Sequence, residues 1–511
     1  MTAGFTPYAA AVLERLAATP ERTVLTTAGG RRITAHEFHG TTCRLARELA
    51  ARGAGRGVTV TLLTGNTAEG LAARYAASLT GARVVALHDG PGPQAMAAAV
   101  RGAETRMLLV DAERHESARR LLPLVEVPAV LGLGPGPAGP DVLAASAGQP
   151  ATVPEVRIGP DDELAIRHTG GTTGVPKGIL SLHGPYRRAL DSPLAEDGPS
   201  RFLACTPLAH LAGFHADLHL YRGGSVVLQN GFEAGEVLAA VERERITHLW
   251  LLPPLLHQLL DHPALPGTDV SSLRRILYGG CTASASRLRR ALEVFGPVLT
   301  GGYGQSEAQS ITALAPHEHT HTGAGGRITV GRALPGVEIA IRDPAGRDLP
   351  PGREGEIQVR SAGVMRGYWK QPELTARVLR DGWLRTGDVG YLDEDGYLYL
   401  VDRLSDVIIV PGGHVYPSEV EEVLLAHPSV AQCAVFGARD ADETEHVHAA
   451  VVHAPGHRPD PEGLRRFVAG RMGPVHVPGF VHAVPRLPLT PAGKPDRNRL
   501  RERLAGGTAA G

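Results

Sequence analysis

Cysteine, aromatic residues and unbalanced charge are all scarce in this sequence of 511 residues. Its four cysteines (Cys43, Cys205, Cys281 and Cys433) lie far apart and form no Cys-x-x-Cys pair, which argues against a disulfide framework or a zinc site. The 52 basic and 53 acidic side chains nearly cancel, so no nucleic-acid or membrane-surface partner is predicted. No apolar run reaches the roughly 18 residues that a membrane span needs. Charged residues precede any apolar run at the N-terminus, so we expect no secretory signal and a cytoplasmic location.

Helical and strand-like segments alternate along the first part of the chain. Residues 36–52 and 67–80 have helical spacing, whereas residues 57–63 and 83–87 are apolar runs typical of buried strands. This βαβ pattern predicts an α/β fold in which helices cover parallel sheets. Further along, the strands become shorter, and a small α+β unit is predicted over residues 404–505.

The most informative segment runs from His168 to Gly178 and reads His-Thr-Gly-Gly-Thr-Thr-Gly-Val-Pro-Lys-Gly. Glycine permits positive φ and close approach of the backbone, so successive N–H groups can point into one concavity. Threonine hydroxyls add donors, and Lys177 adds a compact charge suited to phosphate. The segment differs from the common P-loop because Lys177 is followed by glycine rather than serine or threonine. We interpret it as a loop that binds nucleotide phosphates.

Four further motifs follow this loop in order. Gly301–Glu307 (Gly-Gly-Tyr-Gly-Gln-Ser-Glu) places a ring, a hydroxyl and a carboxylate on one turn, and Trp383–Asp388 presents a carboxylate suited to vicinal hydroxyls. Asp402–Asp406 begins the small α+β unit, and Pro488–Arg497 comes near its end. Each motif alone is weak. As an ordered set they resemble the acyl- and aryl-adenylate-forming (AMP-binding) enzymes, which include acyl-CoA synthetases, luciferases and nonribosomal peptide adenylation domains. The start of the phosphate loop is most similar to fatty-acid–CoA ligase-like members.

The resemblance covers essentially the whole chain and implies two domains. A large N-terminal adenylate-forming domain, with βαβ sheets and a small distorted barrel, is expected over residues 1–402 and would bind ATP and the acid. A small, mobile α+β domain is expected over residues 403–511 and would carry a catalytic lysine. Family members generally rotate the small domain between two half-reactions. Ser405 stands where the family usually has Asp or Lys as the pivot, and a small residue is acceptable at a hinge.

The resemblance also implies a nucleotide site. Six residues would hold the β- and γ-phosphates of ATP: Thr169, Gly170, Gly171, Thr172, Thr173 and Lys177. Tyr303 would lie against adenine, and Ser306 would contact the α-phosphate. Glu307 would help to hold Mg²⁺, a hard cation that prefers oxygen ligands. Asp388 would bind the ribose hydroxyls with assistance from Arg403.

The reaction that the resemblance implies is in-line attack by an oxyanion on the α-phosphorus, with pyrophosphate leaving. Lys494 would reach the α-phosphate and the attacking oxygen and stabilise the charge that develops there. In such transfers the protein mainly positions and neutralises its substrates, so no covalent nucleophile is expected. The expected catalytic residues are Thr169, Ser306, Glu307 and Lys494.

The acid-binding pocket is expected between the segment around residues 207–215 and the residues after 278. Its expected lining residues are His210, His215, Gly279, Gly280, Cys281 and Gly302. His210 would gate the acyl channel and His215 would face the pocket, although either could instead be a packed or surface histidine. Cys281 stands where the family usually has Ala, so we interpret its thiol as a packing group rather than a nucleophile.

The segment His317-Glu-His-Thr-His321 has histidines at alternate positions, which share one face if the segment is a strand. Such a set could ligate a metal ion. No second group of ligands accompanies it in the sequence, and residues 323–326 suggest a surface loop. We therefore predict no metal site there.

Together these features predict a ligase that adenylates a small-molecule acyl or aryl carboxylate with ATP and Mg²⁺ and transfers it to an acceptor, with CoA expected as co-substrate. The segment Pro411–Pro417 departs from the Gly-Gly-Glu-Asn-Val-Tyr-Pro of many CoA-using members. That difference keeps open the reactions of secondary-metabolism relatives, namely activation of nitrite to diazotise an aryl amine, loading of a carrier protein, or amide formation with an amine. A non-catalytic homologue that merely binds nucleotide is disfavoured because Glu307, Asp388 and Lys494 are all present.

Overall fold

The structure is a computed structural model, and the residues that it describes fall into twelve ranges. They are residues 5–87, 92–155, 157–169, 177–191, 200–281, 283–323, 327–410, 413–440, 444–454, 456–457, 460–490 and 494–505. The chain divides into two compact units. The first comprises residues 1–251, 261–277 and 365–377, and the second comprises residues 252–260, 278–364 and 378–511.

The helices within the described ranges are short to medium in length. They are α1 Tyr8–Ala17, α2 Ala35–Ala51, α3 Ala68–Leu79, α4 Pro93–Gly102, α5 His115–Leu121, α6 Val142–Ser146, α7 His183–Leu190, α8 Leu211–Tyr221, α9 Ala234–Glu244, α10 Pro253–Asp261, α11 Ala285–Phe295, α12 Pro372–Val378, α13 Pro417–Leu425, α14 Pro461–Met472 and α15 Arg497–Leu500. Within these ranges none of the helices is long and apolar enough to cross a membrane.

The strands of the first unit come in two groups along the chain. They are β1 Thr23–Thr26, β2 Arg32–Thr34, β3 Thr59–Leu63, β4 Arg83–Leu87, β5 Thr105–Asp111, β6 Ala129–Leu133, β7 Glu163–Thr169, β8 Lys177–Leu182, β9 Arg201–Ala204, β10 Ser225–Leu228, β11 His248–Leu251 and β12 Arg275–Tyr278.

The strands of the second unit are mostly shorter. They are β13 Leu299–Gly301, β14 Gly304–Gln305, β15 Gln309–Ser310, β16 Thr312–Ala313, β17 Arg332–Ala333, β18 Glu338–Arg342, β19 Gly355–Arg360, β20 Leu379–Arg380, β21 Trp383–Leu392, β22 Leu398–Arg403, β23 Ile408–Val410, β24 Gly413–Val415, β25 Val430–Arg439, β26 Glu445–His453 and β27 Phe480–Ala483.

Two mainly parallel sheets form the first unit. One has the strand order β6-β5-β3-β4-β7-β8, and its pairs are parallel except for the antiparallel hairpin β7–β8. The other contains β11-β9-β10-β1-β2, in which β9, β10, β11 and β1 run parallel and β2 is antiparallel. Every residue of β3 is buried, as expected for a strand covered on both faces by helices.

Local sequence explains how the helices that flank these sheets begin. At α2 the Thr34 hydroxyl accepts a hydrogen bond from the Glu37 N–H, and the Glu37 carboxylate accepts one from the Thr34 N–H. This capping box satisfies two backbone donors that a helix start leaves unpaired. At α3 the Thr67 hydroxyl accepts from the Gly70 N–H in the same way.

The second unit contains an antiparallel sheet and a small α+β region. The sheet has the order β18-β19-β21-β20, and β22 also pairs with β21. The α+β region is built on β25-β26-β27, with α13 and α14 packed against an apolar cluster that includes Val435, Ala449 and Leu464.

The α/β fold predicted from the sequence is confirmed. The segments predicted as helices at 36–52 and 67–80 correspond to α2 and α3, and those predicted as strands at 57–63 and 83–87 correspond to β3 and β4. The residues of β3 and β4 pair in parallel, as the βαβ pattern requires. The predicted domain boundary between residues 402 and 403 stays a prediction.

Candidate active site

The ends of the predicted phosphate loop are held by the β7–β8 hairpin of the first unit. Thr169 and Lys177 are the last residue pair of its antiparallel ladder. The Lys177 ammonium lies 5.8 Å from the centre of the Tyr368 ring, close enough for a cation–π interaction. Gly170, Gly171, Thr172 and Thr173 lie outside the described residues. The hairpin therefore brings the two ends of the loop side by side.

The segment that leads to His210 is fixed by Asn66. The Asn66 amide nitrogen lies 3.0 Å from the carbonyl oxygens of Ala204 and Thr206 and 2.9 Å from that of Gln229, and its oxygen accepts from the Leu208 N–H at 2.9 Å. Asn66 follows β3, whereas Ala204 ends β9 and the other residues follow β9 or β10. The carboxyl ends of parallel strands are where α/β proteins place ligands. Sequence reasoning missed Asn66, because its partners are distant in the chain.

His210 is half-buried and occupies the N-cap position of α8. His215, one turn further along α8, is buried and stacks against Trp250 of β11, with 5.7 Å between the ring centres. Burial is the main cause that lowers the pKa of His215 to about 4, so its imidazole is neutral at pH 7. Phe214 lies edge-on to the same imidazole. His215 is thus part of an aromatic cluster in the first unit.

In the second unit Tyr303, Asp388 and Arg403 form one polar cluster. The Tyr303 hydroxyl donates to one oxygen of Asp388 at 2.6 Å, and the Arg403 guanidinium lies 3.2 Å from the other. Asp388 and Tyr303 are each 7% exposed. Burial raises the pKa of Asp388, although the Arg403 charge and the Tyr303 hydrogen bond oppose the rise. The Gln305 amide nitrogen lies 3.5 Å from the same carboxylate, a contact that sequence reasoning did not identify.

Lys494 lies beside this cluster. A Cβ built on Gly280 would be 4.0 Å from Lys494 Cε, so the lysine stem passes over this glycine. Burial and then the Arg403 charge lower the pKa of Lys494, whereas the charges of Asp388 and Glu307 raise it. The charges of both carboxylates therefore favour the protonated form of the lysine. The structure brings together residues whose numbers differ by more than two hundred.

Ser306 and Glu307 lie in the turn of the hairpin formed by β14 and β15. Glu307 is half-buried and its charge raises the pKa of Asp388, so the two carboxylates interact electrostatically. The four residues Tyr303, Glu307, Asp388 and Lys494 therefore form one candidate centre in the second unit.

Gly279, Gly280 and Cys281 follow β12 directly, and Gly280 has φ +85°. Loss of hydration raises the pKa of the Cys281 thiol to about 12, so the thiol stays protonated at neutral pH. A Cβ at Gly302 would come within 2.7 Å of the Thr312 carbonyl oxygen, which explains why a glycine is needed there.

The segment Pro411–Pro417 contributes β24 to the antiparallel pair β23–β24, in which Val410 pairs with Gly413. Pro411 and Gly412, which connect the two strands, lie outside the described residues. Ser405 lies in an exposed turn, where its hydroxyl donates to Asp406 at 3.2 Å and the neighbouring Leu404 N–H donates to the Gly387 carbonyl.

No group of three or more histidine, cysteine, aspartate or glutamate side chains in the described part of the chain could hold a metal ion by itself. The segment Pro316–Thr320 is a 3-10 helix, not a strand, so its histidines do not share one face. His319 is buried, and His321 stacks on Tyr397 with 4.5 Å between ring centres.

Family models match most of the chain. The model for the AMP-binding enzyme matches residues 12–369, and the model for the AMP-binding enzyme C-terminal domain matches residues 419–494. The chain is 36% identical to a medium/long-chain-fatty-acid–CoA ligase of Mycobacterium tuberculosis, over 93% of this chain and 86% of the relative. It is 34% identical to a feruloyl-CoA synthase of an Amycolatopsis species, over 93% and 95% of the two chains.

Solved structures give a further likeness. The amide bond synthetase McbA of Marinactinospora thermotolerans is 42% identical, with a TM-score of 0.87 over 97% of this chain and 99% of that one. An anthranilate CoA ligase in complex with anthranoyl-AMP has a TM-score of 0.88 at 25% identity, over 98% of each chain. The chain belongs to the AMP-binding enzyme family and is an ATP-dependent, AMP-forming acid ligase of the acyl-CoA synthetase-like kind.

Proposed function

We propose that this enzyme adenylates an acyl or aryl carboxylic acid with ATP and then transfers the acyl group to the thiol of CoA. The observation that carries the proposal is the position of Lys494 in the second unit, where its stem lies over Gly280 and the charges of Asp388 and Glu307 act on its ammonium. A cation, a carboxylate for the ribose and a carboxylate for a metal ion are the groups that an adenylate-forming site requires. The family membership and the CoA ligases among the relatives support it.

In the first half-reaction a carboxylate oxygen of the acid attacks the α-phosphorus of ATP, and the bond between the α-phosphorus and the bridging oxygen breaks. Pyrophosphate leaves and the acyl-adenylate forms. Lys494 is proposed to stabilise the negative charge that develops on the α-phosphate oxygens, and its half-buried position beside Gly280 supports this role. Asp388 and Arg403 are proposed to hold the ribose, and Tyr303 to lie against the adenine.

The carboxylate of Glu307 fits a magnesium ion that binds together with ATP. Mg²⁺ is usually held by one or two carboxylates together with substrate phosphates, and Glu307 is a half-buried carboxylate near the centre. When bound, the ion would neutralise charge on the phosphates. Thr169, Lys177 and the loop between them are proposed to bind the β- and γ-phosphates, and Ser306 to contact the α-phosphate.

In the second half-reaction the CoA sulfur attacks the acyl carbon and AMP leaves as a thioester forms. We propose that a small domain beginning at residue 403 turns about Ser405 between the two steps. The exposed position of Ser405 supports this role because few packing contacts would resist rotation there. His210, His215, Gly279, Gly280, Cys281 and Gly302 are proposed to line the acid site. A cytoplasmic location belongs to this proposal, because CoA and ATP are available there.

A second candidate is amide formation, in which an amine attacks the same adenylate. Its specific support is the 42% identity to an amide bond synthetase over 97% of this chain, against 36% and 34% for the CoA-dependent relatives described above. The departure of Pro411–Pro417 from the sequence of many CoA-using members agrees with it.

The test measures pyrophosphate and AMP release from ATP and Mg²⁺ over fatty acids, aryl acids and nitrite, each with CoA, an aryl amine or no acceptor. Pyrophosphate release that depends on a carboxylate supports adenylation, and AMP release accelerated by CoA with thioester product supports the leading proposal. Acceleration by the amine alone, with amide product, favours the second candidate. Turnover of nitrite with an aryl amine, and of no carboxylate, would refute both.

A further inference from the structure

Tyr278, the last residue of β12 and already part of the second unit, forms a buried hydrogen-bonded pair with His319 of the same unit. The Tyr278 hydroxyl and His319 Nε2 are 3.0 Å apart. Tyr278 is 7% exposed and His319 is 2% exposed. Tyr278 directly precedes Gly279, Gly280 and Cys281, which are proposed to line the acid site. His319 lies in the Pro316–Thr320 helix and belongs to the histidine-rich segment that the predicted chemistry did not use.

The direction of this hydrogen bond follows from the other side of the imidazole. His319 Nδ1 lies 3.0 Å from the carbonyl oxygen of Ala315 and 3.1 Å from that of Pro316. A carbonyl oxygen can accept but not donate, so Nδ1 carries the proton. Burial lowers the pKa of His319, which keeps the ring neutral at pH 7. Nε2 is then an acceptor, and the Tyr278 hydroxyl donates to it.

The Tyr278 ring occupies space that Gly301 leaves open. A Cβ built on Gly301 would be 2.7 Å from both Cζ and the hydroxyl oxygen of Tyr278. Gly301 pairs through its backbone with Leu314, at 3.0 and 2.8 Å, just before the helix that carries His319. Tyr278 thus contacts Gly301 through its ring and the helix Pro316–Thr320 through its hydroxyl.

The rest of the histidine-rich segment anchors this helix. The Glu318 carboxylate accepts from the Ala315 N–H at 2.8 Å and from the Tyr397 hydroxyl at 3.0 Å. The His321 ring stacks on the ring of the same Tyr397, with 4.5 Å between the ring centres. His319 is therefore presented to Tyr278 from a rigid support.

We propose that His319 is a positioning residue for acid binding, which acts by holding the Tyr278 ring against Gly301 and so fixes Gly279–Cys281 relative to Gly301 and Gly302. The inference rests on the proposed function, because it takes these glycines and Cys281 as the walls of the acid site. Neither Tyr278 nor His319 needs to touch the acid. Their effect is on the shape of the site, and so on the affinity for the acid rather than for ATP.

Three variants test the pair. Tyr278→Phe removes the hydroxyl and keeps the ring. His319→Asn keeps a donor near the Nδ1 position and loses the Nε2 acceptor, whereas His319→Gln places an amide oxygen where Nε2 accepted. The matched control is Tyr399→Phe, which removes a tyrosine hydroxyl that donates to Asp393 at 3.1 Å in the same unit. The assay is acid-dependent pyrophosphate release, with KM measured separately for the acid and for ATP.

Loss of one buried hydrogen bond typically changes an equilibrium constant by about fivefold to tenfold. We expect Tyr278→Phe and His319→Asn to raise the KM for the acid by about this factor, with the KM for ATP within about twofold of the wild type. His319→Gln should recover part of the loss, and Tyr399→Phe should leave both constants unchanged. Equal rises in both KM values, or no rise for the acid in folded variants, would overturn the inference. A wild type without acid-dependent pyrophosphate release would instead refute the proposed function.

Discussion

Replacement of Lys494 by methionine is the sharpest test of the candidate centre. Methionine retains most of the stem that passes over Gly280 but removes the ammonium. The change therefore removes a charge with little loss of packing. Lys494→Arg is the matched control, since it keeps the charge on a longer side chain.

The expected magnitude follows from the surroundings of the ammonium. Two unit charges about 4 Å apart in an effective dielectric of about 20 interact by about 4 kcal/mol. Loss of one preorganised donor at a developing negative charge typically costs about 2.7–4 kcal/mol, or about 10²–10³-fold in rate. Lys494 is half-buried and interacts electrostatically with Asp388 and Glu307, so water would compensate poorly for the loss of its charge. We expect Lys494→Met to slow adenylation by about 10²–10³-fold.

The assay separates the two half-reactions. Adenylation is followed by pyrophosphate release, and transfer is followed with pre-formed acyl-adenylate and the acceptor. Lys494→Met should impair the first and spare the second. Equal loss of both half-reactions would refute the assigned role.

The pH dependence gives an independent check. Burial and the Arg403 charge lower the pKa of Lys494 from 10.5, and only the protonated lysine stabilises negative charge. The adenylation rate should therefore fall on the alkaline side at a pH below 10.5. In Lys494→Arg this decline should move to higher pH, because arginine stays charged. An unmoved decline would assign it to another group.

Three further changes test other parts of the structure. Asp388→Asn should weaken ATP binding by about tenfold or more, the loss of a charged hydrogen bond, and unchanged affinity by calorimetry would remove Asp388 from the ribose site. Glu419→Gln breaks a mostly buried 2.9 Å ion pair with Arg327 that ties α13 to the segment before β17. We expect this change to slow adenylation and to leave transfer from pre-formed adenylate intact, whereas the control Glu462→Gln at an exposed position of α14 should change neither step. Parallel losses in both steps would contradict this expectation. His183 is fully buried, and burial lowers its pKa from 6.5 to about 4. As the pH falls, the unfolded state therefore binds a proton at this histidine before the folded state does. The free energy of unfolding should decrease by up to about 3 kcal/mol between pH 6.5 and pH 4. Urea unfolding of His183→Leu should show a weaker pH dependence, and an equal dependence would exclude His183 as its source.

Much of the fold could be predicted from local sequence. The β3 segment is an uninterrupted apolar and β-branched run, and its buried parallel pairing with β4 follows from the helical segment between them. The prediction of a phosphate loop rests on glycine, threonine and Lys177 occurring together within eleven residues. The sequence left the conformation of the histidine-rich segment at 317–321 open, since alternate histidines occur in strands and in 3-10 helices alike, and the structure shows a 3-10 helix over Pro316–Thr320.

The sequence by itself therefore determined the alternating α/β pattern, the glycine-rich loop and the types of residue available for the chemistry. It did not determine their partners. Tyr303 is predicted to lie against adenine, and only the structure shows that its hydroxyl donates to Asp388, which is 85 positions away. Asn66 bonds to backbone groups 138 to 163 positions away, and Tyr278 meets His319 over 41 positions. Such pairs depend on how separate strands and loops pack together, and only the tertiary structure decides which distant polar groups are buried within reach of each other.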